Sequence, residues 1–154
     1  MDHIWQKKSV IAQTQIIAHS LRRWTGRSLL PGTHSAEVLA EKVYLAPFVL
    51  VSHGMGADPV LNYGNAMALQ LWEMDWKDFT HTASRYTAET PDQIERARLL
   101  AKVTADGFVD DYSGIRISKT GRKFRIAQAT VWNLVTSEGN YCGQAACFSQ
   151  WEFV

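Results

Sequence analysis

The sequence predicts an α+β domain built on a five-stranded antiparallel sheet, and three observations carry that prediction. Two short strand-like runs come first, helical pieces follow, and three longer strand-like segments close the chain. Those last segments are joined by Lys119–Arg122 and Ser137–Asn140, each with a glycine, and loops this short require antiparallel neighbours. A chain of 154 residues fits one domain with a sizeable core.

Ser9–Trp24 is the first helix. Val10, Ile17, Leu21 and Trp24 share one face at helical spacing, with Gln15, His19, Arg22 and Arg23 opposite. Gly26 and the run Ser28–Gly32 end it. Residues 1–34 are thus an amphipathic helix and linker ahead of the main domain, residues 35–154. The apolar stripe needs a partner, either the domain's own sheet or a second subunit, and a homodimer through this helix is expected.

Ser35–Val43 reads as a short helix, and Tyr44–His53 has the apolar content of a strand buried on both faces. Gly54, Gly56, Asp58 and Pro59 make a turn before a second strand, Val60–Tyr63. Asn65 is placed to cap a helix over Ala66–Trp72, and Asp75 to cap a turn through Phe79. Residues 80–90 look irregular. Thr90, Pro91 and Gln93 occupy the N-cap, N1 and N3 positions of a capping box. That helix sets Ile94, Ala97, Leu100 and Ala101 on one face and Glu95, Arg98 and Lys102 outward, and Gly107 stops it. Phe108–Ser118, Arg122–Val135 and Tyr141–Phe153 are the three closing strands.

Composition narrows the function. Lysine plus arginine total 16 against 15 acids, for a net charge of +1, and the basic runs at Arg22-Arg23 and Arg122–Arg125 are too short for a nucleic-acid stripe. The sequence has no apolar run of membrane-spanning length, and residues 1–17 lack a signal-peptide pattern, so a cytoplasmic location is expected. Cys142 and Cys147 make no disulfide framework; on a regular strand they point to opposite faces.

The element order resembles the PAS fold, and local strings agree. Asn62–Ala66 (NYGNA) resembles the "Y-x-N-x-A" that opens the first PAS helix. Ser118–Phe124 (SKTGRKF) resembles the "k-d-G-x-x-F" hairpin, and Ser137–Gly139 followed by Gly143 resembles the "d-x-x-G…G" before the last strand. Over residues 44–154 the strings Pro47–His53 (PFVLVSH), Leu71–Met74 (LWEM), Ser84-Arg85, Ala129–Leu134 (ATVWNL) and Gly143–Phe148 (GQAACF) are similar to bacterial stand-alone proteins of the PAS-related MEKHLA domain family. The ending Phe148–Val154 resembles the close of the plant homeodomain–leucine-zipper factors that carry this domain. The resemblance implies a PAS-like fold and a sensory, signalling or regulatory role, with residues 1–34 outside it.

In PAS domains the pocket lies between the helices and one sheet face. Strand alternation puts Phe124, Ile126, Gln128, Thr130, Trp132 and Leu134 on one side, and Arg125, Ala127, Ala129, Val131, Asn133 and Val135 on the other; a bulge would swap the sets. Cys142, Gln144, Ala146 and Phe148 share a side of the last strand. The candidate ligand-binding residues are Asn133, Gln144, Gln128, Thr130, Trp132, Tyr112, Arg116, Trp72 and Arg85. The competing reading makes the amides backbone-bonded core residues and the tryptophans simple core.

Cofactors are not identified. Trp132–Leu134 (WNL) resembles part of a string of light-sensing flavin domains, but aligning Gly121 and Phe124 puts Ile126 where that family has its flavin-contacting Asn. The adduct-forming cysteine is also missing at Ala83–Arg85, which argues against a flavin photoadduct and leaves non-covalent flavin open. Haem is argued against because residues 91–105 hold no axial histidine. The histidines show no metal-ligand spacing, and Asp106, Asp110 and Asp111 read as a solvated turn, so no metal site is assigned. No catalytic residue is assigned either. His53, His81, Ser84, Glu73 and Arg85 suit catalysis by type, yet no spacing ties them together, and Glu73 with Arg85 could form a structural pair. The expectation is a module binding a small-molecule ligand, with a ligand-free interaction domain or a small enzyme as alternatives.

Overall fold

The computed structural model describes residues 3–154 and arranges them around one antiparallel sheet. Helix α1, Lys8–Thr25, stops at Gly26, whose φ of 74° suits a residue without a Cβ. Ser35 caps α2, Ala36–Tyr44, by accepting from the Val38 N–H. Strands β1, Val49–His53, and β2, Leu61–Gly64, pair antiparallel ahead of α3, Ala66–Trp72, and α4, Trp76–Phe79. Asn65 and Asp75 cap those helices. The Asn65 side chain, fully buried, also accepts from the Leu50 N–H and donates to the Val43 and Phe48 carbonyls. One amide therefore pins β1, α2 and α3 together, with its hydrogen-bonding groups satisfied.

After a 3₁₀ turn at Ser84–Thr87 come α5, Thr90–Asp106, and strands β3, Phe108–Ile117, β4, Lys123–Val135, β5, Tyr141–Phe148, and β6, Gln150–Phe153. The sheet order is β2-β1-β5-β4-β3, and β6 continues alongside β4 beyond β5. Local expectations shift: Tyr44 ends α2, and the strand expected over Tyr44–His53 begins only at Val49. The N-cap of α5 is Glu89 rather than Thr90, and the Gln93 side chain donates to the Ala88 carbonyl instead of closing a capping box. The buried stripe of α5 is Arg96, Leu99 and Val103, whereas Ile94, Ala97 and Ala101 are exposed. The helix is rotated from the expected face because the sheet takes the bulkier aliphatic positions and accepts an arginine among them.

The closing segment Tyr141–Phe153 also divides at Ser149 into β5 and β6, and β4 carries a bulge. Gln128 adopts φ 54°, a left-handed conformation, between the stretch of β4 that pairs β6 and the stretch that pairs β5. This bulge reverses the alternation. Phe124 and Ile126 therefore share a core with Ala129 and Val131, while Trp132 and Leu134 face the other way. A second irregularity falls near Gly143, where β4 and β5 slip register between Leu134 and Val135. A Cβ at Gly143 would meet the His53 carbonyl at 2.1 Å, so the close β1–β5 approach requires glycine. With that slip, Cys142 and Cys147 pack against the same core rather than opposite faces. Both thiols are free and burial raises both, Cys147 to about 12, which favours the protonated form.

The sheet thus carries a core on each face. On one side α3, α4 and α5 cover Val49, Phe124, Ile126, Val131 and Phe148. On the other, α1 buries Val10, Ile17 and Leu21 against Leu50, Trp132, Leu134 and Ala145. Polar contacts fix that docking: Ser20 Oγ accepts from the Val135 N–H at 2.8 Å, Trp24 Nε1 donates to the Asn133 carbonyl at 2.9 Å, and Trp132 Nε1 donates to the Ile17 carbonyl at 3.3 Å. The stripe expected to form a homodimer is taken up by the chain's own sheet. Among the described residues no helix is long and apolar enough to cross a membrane.

Candidate functional site

A cavity of about 60 Å³ lies between α5, the 3₁₀ turn and the sheet. Its walls are Leu99 and Leu100 of α5, Val51, Ile126, Val131 and Phe148 of the sheet, and Trp72 and Phe79 from the helices between. Into this apolar shell project His53, Ser84, Arg96, Arg116, Tyr112 and Gln144. At this volume the space holds a few water molecules or a ligand of a few heavy atoms.

Arg96 sits on the sheet-facing side of α5, three and four residues before Leu99 and Leu100, and is 8% exposed. One of its nitrogens donates to Ser84 Oγ, which the 3₁₀ turn holds against α5. Burial pushes this guanidinium down to about 10, with repulsion from Arg116 second and attraction from Tyr112 and Asp58 opposing. Arg116 comes from β3, where Tyr112, Gly114 and Arg116 alternate. A Cβ at Gly114 would meet Tyr112 Oη at 2.2 Å, so glycine lets the phenol lie along the strand. Arg116 then donates to Tyr112 Oη at 3.3 Å and to the Ile115 carbonyl at 2.9 Å, while Tyr112 donates to Glu95 at 2.7 Å. Desolvation raises the Tyr112 hydroxyl and Arg116 opposes it.

His53 ends β1. Its Nδ1 lies 2.8 Å from the Gly54 carbonyl, which can only accept, so the proton sits on Nδ1 and Nε2 presents its lone pair. That Nε2 is buried beside the Gln144 side chain without a well-aligned hydrogen bond, and the indole N–H of Trp72 is buried with no partner among the described residues. Burial lowers the His53 pKa below its ordinary value and nearby Arg96 adds to this, against the opposing hydrogen bond to Gly54 and the contact with Gln144, so the net direction favours the neutral ring.

The candidate residues divide. Trp72, Tyr112, Arg116 and Gln144 line the cavity. Asn133 faces the same helices but is tied up: its Nδ2 donates to the Val103 and Thr104 carbonyls, capping the end of α5. Gln144 braces the same end, donating to the Leu100 carbonyl, Thr104 Oγ1 and Asn133 Oδ1. Trp132 and Thr130 lie across the sheet, Trp132 in the α1 core and Thr130 bonded to Asp110. Gln128 is at the bulge, reached by Gln150. Arg85 is exposed, paired with Asp58 at 3.0 Å and stacked over Tyr86. It does not pair with Glu73, which instead accepts from Ser118 and Thr120 and holds the β3–β4 hairpin.

Of the residues suited to catalysis by type, His53 and Ser84 reach the cavity, but Ser84 Oγ is engaged by Arg96. His81 lies outside, its ring bonded to the Lys77 carbonyl. Sequence reading missed Arg96, Thr87 and Leu99 as lining residues. For Arg96 a signal existed, an arginine at helical spacing within an aliphatic stripe.

Comparison with known proteins agrees with this architecture. The model of the MEKHLA domain matches residues 11–153, so the match takes in most of α1, which the sequence resemblance had left outside. No curated protein matches the sequence. Among solved structures, the PAS domain of a protein from Colwellia psychrerythraea superposes with a TM-score of 0.62 at 9% identity, covering 75% of this chain and 92% of that one. A light-oxygen-voltage domain studied with a flavin analogue gives 0.59 at 15% identity, covering 76% and 84%. An RNA-binding light-oxygen-voltage receptor gives 0.60 at 12% identity, covering 79% of this chain and 36% of the receptor. At these identities the likeness is one of fold.

Proposed function

Since this chain belongs to the MEKHLA domain family and has the PAS fold, we propose that it is a sensory module binding a small ligand in the cavity between α5 and the sheet. The observation that carries this reading is the pair of buried, unpartnered polar atoms, His53 Nε2 and Trp72 Nε1, facing one apolar cavity. Buried polar groups are ordinarily satisfied, and two orphans on one cavity point to a bound partner. Binding rather than catalysis fits the family, and Ser84 Oγ is engaged by Arg96, with no hydrogen bond to His53 among the described residues. Ligand binding would reach the far side of the sheet through β5, whose residues Ala145 and Ala146 touch opposite cores.

Native mass spectrometry of the purified protein tests the reading, together with a thermal-shift screen of small metabolites. The expected result is a bound or stabilising small molecule whose effect disappears in Ala146→Leu, which fills the cavity. A ligand-free wild-type protein that no compound stabilises would favour a pure interaction domain.

A further inference from the structure

The charge of the cavity asks for more than a generic ligand. Arg96 and Arg116 are 8% and 7% exposed, and they arrive from different elements, α5 and β3. Among the described residues neither has a carboxylate within 4.0 Å. Their protein partners are all neutral: Ser84 Oγ for Arg96, and the Ile115 carbonyl and Tyr112 hydroxyl for Arg116. The two acids nearest in the network are otherwise engaged, Glu95 by the Tyr112 hydroxyl and Asp58 by exposed Arg85. Charged side chains are seldom this deeply buried without a counter-charge, and two of one sign repel across the shared space.

We propose that the ligand is a small carboxylate with an apolar body, its carboxylate held by Arg96 and Arg116; this rests on reading the cavity as a ligand site. The planar guanidinium fork matches a carboxylate's two oxygens. The opposite walls, Leu99, Ile126, Val131 and Phe148, offer hydrocarbon and suit a short alkyl chain. Trp72 Nε1 supplies a further donor. Inorganic phosphate would meet the same cations but leave those walls unmatched.

Calorimetric titration of the full chain tests this with the sodium salts from acetate to hexanoate, their primary amides, and inorganic phosphate. At least one carboxylate should bind saturably, and its amide should bind roughly tenfold or more weakly, the worth of a charge-assisted hydrogen bond. Arg96→Gln and Arg116→Gln, checked for folding by circular dichroism, should each weaken that carboxylate by a similar factor. In ligand-free protein Arg96→Met should hold or raise Tm, because it removes an unpaired buried charge. Equal binding of amide and carboxylate would overturn the proposal while leaving a ligand module in place. Saturable binding of phosphate alone, or no binding by any of the carboxylates, would also overturn it. So would a fall in Tm on Arg96→Met, which would make the arginine a structural bond to Ser84.

Discussion

The two faces of the sheet are built from the same strands and solve different problems. On the α1 face, Ile17, Trp132 and Leu134 are wholly buried, and the indole of Trp132, the Ser20 hydroxyl and the Trp24 N–H find partners, while the buried Tyr63 hydroxyl makes no hydrogen bond among the described residues. On the α5 face a comparable set of aromatics and aliphatics encloses open space, two cations without counter-ions and two unpartnered nitrogens. The second face differs in enclosing a cavity with two buried arginines at its wall. Adjacent residues of β5 therefore belong to different cores: Ala145 pairs with Trp132 in the α1 core, and Ala146 packs in the core that holds the cavity.

The strongest probe of this contrast is Trp132→Ala, which should cost about 4 kcal/mol by urea unfolding, through lost burial and the cavity left behind. A smaller loss would show that α1 packs loosely. Next, the neighbouring alanines should respond with opposite signs. Ala145→Leu overpacks the α1 core and should cost about 2 kcal/mol, whereas Ala146→Leu should gain about 1 kcal/mol by filling space. Equal responses would erase the distinction.

pH sharpens it further. The His53 pKa is lowered from its ordinary value of 6.5, chiefly by burial, so the folded protein keeps the ring neutral while the unfolded chain takes up a proton. Below pH 6.5 the unfolded state binds more protons and stability falls; above it the contribution is fully present. His53→Asn should flatten the stability profile between pH 6.5 and the onset of carboxylate titration, measured by denaturant melts across pH. The smallest effect belongs to neither face. Arg85→Ala breaks an exposed pair with Asp58 and should change stability by less than about 1 kcal/mol.

Much of this was legible before any coordinates. The caps Asn65 and Asp75 and the stops Gly26 and Gly107 act where their side chains or lack of one predict, whereas the expected cap Thr90 gives way to Glu89. The site was half legible. Tyr112, Arg116, Trp72 and Gln144 are candidate binding residues that line the cavity, Gln144 alone from strand phase, and Arg96 could have been found as an arginine within an aliphatic stripe. Trp132 and Thr130 could not be sided, because Gln128 takes a left-handed φ that its residue type does not announce, and each residue beyond it changes face.

The sequence by itself determined the order of elements, their ends and their hairpins, since caps, turns and periodicity act within a few residues of chain. Only the tertiary structure decided which surface covers which. It turned α1 onto its own sheet, brought both cysteines into one core, and set Arg96 and Arg116 around one cavity. Those outcomes depend on contacts between segments far apart in the chain, where one bulge or one rotated helix redirects every side chain that follows.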